Sequence, residues 1–427
     1  MNCRQRLIRG CRIVLGQGME DADILIQGEW IVAVAPGLAV NGVEVLDAGG
    51  LYALPGAVDA HVHLRDPGAT HKEDFTSGTR AALAGGVTTV LDMPNTPAPT
   101  ISAATYAEKL ALAKSRACCD FGLFVGATFD NAASVATIAE AVGLKLYMGS
   151  STGNLLVADL ETQYCHFVSY PAERPIAIHG EDEQAVQLFS KSERRPPICA
   201  ELAVSKAIAL SRATGRRLHV CHVTTRAELE LIALAKRQGL AVTAEVTPHH
   251  LFLSQADEHE LGSLGMMNPP LRKQEDVDAL WQGLATIDIV ASDHAPHTLE
   301  EKRSLNPPAG VPGVETLLPL LLDAALAGRL SLSRVVQLTA LTPAAIFHLP
   351  HKGQIAPGYH ADVVLFDPNG TTTIGGHLYS KCQWTPFAGR RLRGCIRQVL
   401  LRGRDAFAEG RVLAEPGWGR FIAPSYT

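Results

Sequence analysis

Missing from the sequence is any apolar run able to cross a bilayer. Its most apolar stretch, 316–328, is broken by Asp323 and falls short of the roughly 20 residues a spanning helix needs. The opening MNCRQRLIRGCRIVLG lacks the long apolar core of a signal peptide, so a soluble cytoplasmic protein is expected. A large excess of either charge is missing too. A net charge of −5 with no lysine or arginine stripe gives no electrostatic footprint for nucleic acid. The nine cysteines, an odd number at irregular spacings, do not make a disulfide framework and point to reduced thiols. No Gly-x-Gly-x-x-Gly follows the first parallel-type strand, which counts against a doubly wound dinucleotide-binding sheet. Low-complexity tracts and long repeats are absent.

What is present is a chain of 427 residues, 47% hydrophobic and 19% charged, able to bury one large core and a smaller satellite. Residues 1–54 hold short β-like runs at 7–15, 22–34 and 43–46, separated by Gly and Asp turns. From Pro55 apolar runs alternate with segments of helical period, the pattern of repeated βα units. Strands are predicted at 57–63, 87–94, 119–127, 143–148, 175–181, 217–223, 241–248 and 287–293. Helices are predicted between them, among others at 72–84, 103–115, 132–141, 199–213, 226–237 and 275–284. Eight such units predict an α/β fold, a (β/α)8 TIM barrel over 55–349. After Pro350 the β character returns, at 361–367 and 395–402. The terminal segments 1–54 and 350–427 are expected to fold together into one small β domain.

In such a barrel, functional residues sit at the C-terminal ends of the strands. His61 and His63 alternate on the first strand and so share a face. Neutral imidazole suits zinc and similar metals, although an isolated pair fits a strand rim equally well. Other strand ends supply His179, His222 and Asp293, and the fourth strand carries Lys145 among apolar neighbours. A buried lysine that loses its proton can add carbon dioxide and become a carboxylate ligand; one at a strand end can instead reach solvent. Asp293 could bind metal and move a proton, or simply cap the next helix.

These residues carry a family resemblance over most of the chain. HVHLRDPG at 61–68, THKEDFTSGTRAALAGGVTTVLDMPNT at 70–96 and LKLYM at 144–148 resemble the dihydroorotases of the amidohydrolase superfamily. So do HVCHVTT at 219–225, EVTPHHLFL at 245–253, MNPPLR at 267–272 and SDHAPH at 292–297. The likeness is strongest to the dihydroorotase domain of the large animal pyrimidine-synthesis polyprotein. It implies interconversion of N-carbamoyl-L-aspartate and L-5,6-dihydroorotate in de novo pyrimidine synthesis. It also implies two zinc ions per subunit, one held by His61, His63 and Asp293, the other by His179 and His222, with N6-carboxylated Lys145 bridging. Asp293 would also carry the catalytic proton. Arg65, Asn95, Asn268 and His297 match substrate contacts, and a guanidinium fork suits a carboxylate.

Animal members can bind a third zinc through positions matching Cys221 and Glu245. Cys221 directly precedes His222, so a regular strand turns it away from the mouth, and a core cysteine is expected instead. His249 and His250 are expected to serve as structural hydrogen-bond partners. The small polar loop 149–154 is either a lid, with Ser151 or Thr152 reaching the substrate, or an ordinary surface turn. Backbone around Pro308 to Gly310 is expected to line the substrate. A homodimer, and association with aspartate transcarbamoylase, complete the expectation. Two other readings stay open. An allantoinase or dihydropyrimidinase could use the same metal shell, although Arg65, Asn95 and His297 suit a substrate bearing a carboxylate. A non-catalytic dihydroorotase-like subunit would be marked by missing ligands, and all six are present.

Overall fold

Nine short, almost wholly buried strands form the centre of the computed structural model, which describes residues 5–426. In chain order they are β1 (Ala57–Val62), β2 (Val87–Asp92), β3 (Asp120–Leu123), β4 (Val125–Gly126) and β5 (Leu144–Tyr147). They continue as β6 (Ile176–His179), β7 (Leu218–Val220), β8 (Val242–Val246) and β9 (Ile289–Val290). Sequence neighbours pair in parallel, β1 to β3 in one sheet and β4 to β9 in another. Parallel strands need crossover connections and cover on both faces, which explains their near-continuous apolar sequences. Beyond β9, His294 bridges in parallel to Val62 of β1, and its carbonyl accepts from His63 N at 2.8 Å.

The predicted strands are all met, but shorter. The 119–127 run is two strands because the chain changes partner at Phe124, whose N–H donates to Asp92 O while Val125 N turns to Gly143 O. The 217–223 run stops at Val220, with His222 at φ 38°. Predicted helices match at Arg226–Arg237 and closely at Ala103–Arg116, whereas 132–141 shrinks to Ala132–Ala136. The apolar stretch 316–328 is the helix Leu317–Leu326. Among the described residues no helix is long and apolar enough to cross a membrane. None of the described cysteines is paired.

The terminal segments share one nine-stranded sheet, in which Val363–Thr373 runs antiparallel to Tyr52–Pro55. The expected 22–34 run is two strands, Gly18–Gln27 and Trp30–Ala35. Only Gly56 separates this sheet from β1. A Cβ there would lie 2.2 Å from Thr88 Oγ1, so the junction admits no side chain.

A buried charge network ties the two layers. Lys352 Nζ donates to Asp120 at 2.5 Å and to Asp362 at 2.6 Å, and Arg402 pairs with Asp120 as well. Asp120, His360 and Asp362 cluster closely enough to suggest a metal, but Lys352 and Arg402 already supply the cations. Removing one partner strands buried charges. Lys352→Met is therefore expected to cost about 3–5 kcal/mol of stability, read as a lowered denaturation midpoint. A loss below about 1 kcal/mol, the level of an exposed pair, would refute that role.

Candidate active site

The ends of five parallel strands converge on a strip of four imidazoles. Ring centroids step 5.2 Å from His63 to His61, 5.6 Å from His61 to His222, and 4.8 Å from His222 to His179. Asp293 closes one end, its Oδ1 lying 3.2 Å from His61 Nε2 and 3.0 Å from His63 Nε2. His61, His63 and Asp293 could hold a metal ion. At the other end His179 Nδ1 and His222 Nε2 stand 3.0 Å apart. No third acidic or sulfur ligand among the described residues completes a cluster with that pair. Lys145 is fully buried, its Nζ 3.0 Å from the Sγ of Cys221, which clusters with His61 and Glu245.

Two of the four imidazoles are oriented from behind, His63 by Asn95 and His61 by Glu245. His63 Nδ1 meets Asn95 Oδ1 at 2.7 Å, and with the proton held there the Nε2 lone pair is turned toward Asp293. Asn95 Nδ2 donates to Thr152 O at 2.8 Å, so the 149–154 loop reaches over this side chain. That loop is tied down further by Arg195, which donates to Ser150 O at 2.5 Å, and by Glu183, which accepts from Ser150 N at 2.6 Å. Glu245 accepts from three sides: His61 Nδ1 at 2.5 Å, His219 Nε2 at 3.1 Å and His222 N at 3.2 Å. His179 Nε2 lies 3.2 Å from Glu181 Oε2 but without hydrogen-bond geometry.

The electrostatics suit a cation. Burial, with Lys145, presses His61 down, but Glu245 and Asp293 outweigh them and push its imidazole up to about 10. Burial lowers His63 to about 3 and holds His179 and His222 below the usual histidine range, so three of the four rings offer neutral lone pairs. Burial raises Asp293 and Glu245, yet the neighbouring histidines prevail and hold both well below the ordinary carboxylate range. Two carboxylates and neutral imidazoles in one water-poor pocket are a donor set for divalent metal.

Backbone strain marks the same place. Arg65 (φ 60°), His222 (φ 38°) and Asp293 (φ 43°) all sit in the left-handed region, a conformation that costs roughly 1–3 kcal/mol each outside glycine. The kink at His222 overturns one expectation. Cys221 is buried, as expected, but the strand has already ended, so its Sγ points into the site, 3.0 Å from Lys145 Nζ. With His61 and Glu245 it forms a second group that could hold metal. His249 is the other surprise: its buried Nε2 has no hydrogen-bond partner. His250 fits the structural expectation, bonded to Thr247 Oγ1 at 2.7 Å and Pro269 O at 3.1 Å.

The substrate-side residues form two groups. Arg65 and His297 meet, with Nη2 3.3 Å from Nε2, and Arg65 Nε donates to Pro296 O at 3.2 Å. His297 Nε2 also faces Ala309 O at 3.1 Å, which brings the 308–310 backbone to this corner. Asn268 lies apart from them, its Oδ1 accepting from Arg194 at 3.0 Å. Glu181 and His219 escaped the sequence reading. Glu181 follows His179 by two residues and could have been found by the same alternation; His219 reads as one more histidine in HVCHV until its partner Glu245 is known.

Residues 52–405 match the Amidohydrolase family. The chain is 42% identical over 384 residues to the dihydroorotase of Halobacterium salinarum, covering 86% of this chain and 89% of that one. It is 40% identical over 383 residues to the multifunctional protein CAD of Squalus acanthias, covering 89% of this chain but only 16% of that protein. Among solved structures, the L-hydantoinase (dihydropyrimidinase) of Arthrobacter aurescens superposes with a TM-score of 0.94 at 30% identity, covering 98% of this chain and 99% of that one.

Proposed function

The chain belongs to the amidohydrolase family, among its dihydroorotases, and from that premise we propose that it closes N-carbamoyl-L-aspartate to L-5,6-dihydroorotate and reopens it, in de novo pyrimidine synthesis. Membership implies a hydrolase acting on cyclic amides with a binuclear metal site. The parallel strands are read as a (β/α)8 barrel over 55–349, supported by the His294 bridge back to the first strand. Residues 1–54 and 350–427 are assigned to one β domain, supported by their shared sheet.

One observation carries the substrate choice: Arg65 and His297 meet beside the histidine strip, where a carboxylate on the ring would need them. The hydantoinase likeness supplies a second reading, a cyclic amidase whose substrate lacks that carboxylate. In the proposed site His61, His63 and Asp293 would hold one zinc, His179 and His222 would hold the other, and a carboxylated Lys145 would serve both. Bound metals supply an acidified water and a Lewis acid for the amide carbonyl. The remaining steps belong to the side chains. Arg65 and His297 bind the carboxylate, while Asn95 orients His63. Asn268 is assigned a further substrate contact. Asp293 accepts the proton released on attack and delivers it to the leaving ring nitrogen; in the synthetic direction it donates that proton as water leaves.

The proposal extends to a cytoplasmic homodimer that associates with aspartate transcarbamoylase. Leu160, Tyr164 and Val168, exposed at four-residue spacing on the helix Leu160–Ser169, offer an apolar face for contact with a second copy. Side-by-side turnover of dihydroorotate, allantoin and dihydrouracil tests the reading. Dihydroorotate is expected to be fastest, with activity lost on chelation and restored by zinc plus bicarbonate. Faster turnover of either other ring would overturn it, and a metal-free protein under metal-replete conditions would favour a non-catalytic subunit.

A further inference from the structure

Lys72 belongs to no metal group and to none of the substrate contacts above, yet its ammonium reaches the corner where the carboxylate is placed. Its Nζ lies 3.2 Å from His297 Nδ1 and 2.9 Å from Glu301 Oε1. An ammonium only donates, so Nδ1 must be the nitrogen that accepts. Glu301 Oε2 cannot take a proton from Nδ1, because 3.7 Å is beyond hydrogen-bond distance. A neutral imidazole has one N–H, which therefore sits on Nε2. There it faces Ala309 O, which can only accept. Lys72 and Ala309 O demand the same tautomer, and only Arg65, a donor 3.3 Å from Nε2, opposes it. Burial, reinforced by Arg65, Lys72 and Lys302, pushes His297 down to about 2, so the ring is neutral.

The consequence falls on Arg65. Its Nη2 is 3.3 Å from His297 Nε2, and in this tautomer both nitrogens carry hydrogens. Two donors, one of them cationic, thus face each other without an acceptor, an arrangement that an anionic acceptor drawing both N–H groups to itself would relieve. With the proton on Nδ1 instead, Nε2 would accept from Arg65 and the pair of donors would be consumed. Lys302 steadies the other side: it donates to Met266 O and Pro308 O at 3.0 Å and to Gly310 O at 3.1 Å, holding Ala309 O against the ring.

We propose that Lys72 is a positioning residue for substrate recognition: by donating to His297 Nδ1 it fixes the Nε2–H tautomer, so that His297 and Arg65 present paired donors to the carboxylate of a cyclic amide. This rests on the dihydroorotase reading for its substrate, but not for its tautomer. Lys72→Met is expected to raise KM for dihydroorotate about 10-fold or more, as losing a charge-assisted hydrogen bond would, with kcat within about threefold and metal content unchanged. Lys72→Arg, which still donates to Nδ1, is expected to return KM to within about threefold of the parent. Nitrogen NMR of histidine-labelled protein should place the His297 proton on Nε2 in the parent and move it, wholly or in part, to Nδ1 in Lys72→Met. An unchanged KM, a fall in kcat that tracks loss of metal, or an Nδ1–H ring in the parent would each overturn the inference. If the parent does not turn over dihydroorotate, the dihydroorotase reading falls, and the NMR measurement alone decides for or against Lys72.

Discussion

Asp293→Asn is expected to keep its metals and to lower turnover about 100- to 10,000-fold, the range for losing a positioned proton carrier. The amide retains an oxygen of the same reach toward His61 and His63, which the carboxylate now approaches at 3.2 and 3.0 Å, so ligation survives. What it loses is the ability to accept a proton. Burial alone would raise Asp293, but His61 and His63 outweigh it and hold the carboxyl ionised, ready for that proton. Dihydroorotate hydrolysis and metal analysis on the same preparation check both halves. Near-normal turnover would refute the proton role, and loss of metal would reduce Asp293 to a ligand.

The convergence of these side chains is legible in the sequence for a physical reason. Alternation on a strand fixes which side chains share a face, so His61 and His63 follow from the sequence, and β-strand ends followed by helices locate His179 and Asp293. The same rule misplaced Cys221, because it assumes the strand continues; at His222 the backbone enters the left-handed region and the alternation ends. Hydrogen-bond partners distant in sequence were equally hidden. Asn95 was read as a substrate contact, and its carbonyl oxygen proves to orient His63, 32 residues away. Glu245 was read only as a metal position, and it braces His61 across 184 residues. The strand lengths also shrank, since a short parallel strand leaves no mark in composition when the residues after it stay buried. The terminal sheet, by contrast, was readable as β because its strands are long and bounded by turns.

The other large effect is expected at Lys145. Its Nζ is fully buried, 3.0 Å from Cys221 Sγ and 5.3 Å from the centre of the Tyr147 ring, among the histidines assigned to two metals. An ammonium there would repel both divalent ions. Addition of carbon dioxide to the neutral amine, with release of one proton, would form an N–C bond and replace that cation with a carboxylate. It would also give His179 and His222 the third ligand that the described side chains do not otherwise provide. Lys145→Ala should therefore lose more activity than the 10- to 100-fold typical of removing a partner that merely orients a ligand, about 1,000-fold or beyond, and should bind fewer metal ions per chain. Short carboxylates such as acetate or propionate fit the space left by the side chain and should restore part of both. A Lys145→Ala protein with full metal content and parental turnover would show that the bridge is dispensable. Loss that no added carboxylate relieves would mean that the lysine acts through packing against Tyr147 and Cys221, and not through a carboxylate at its end.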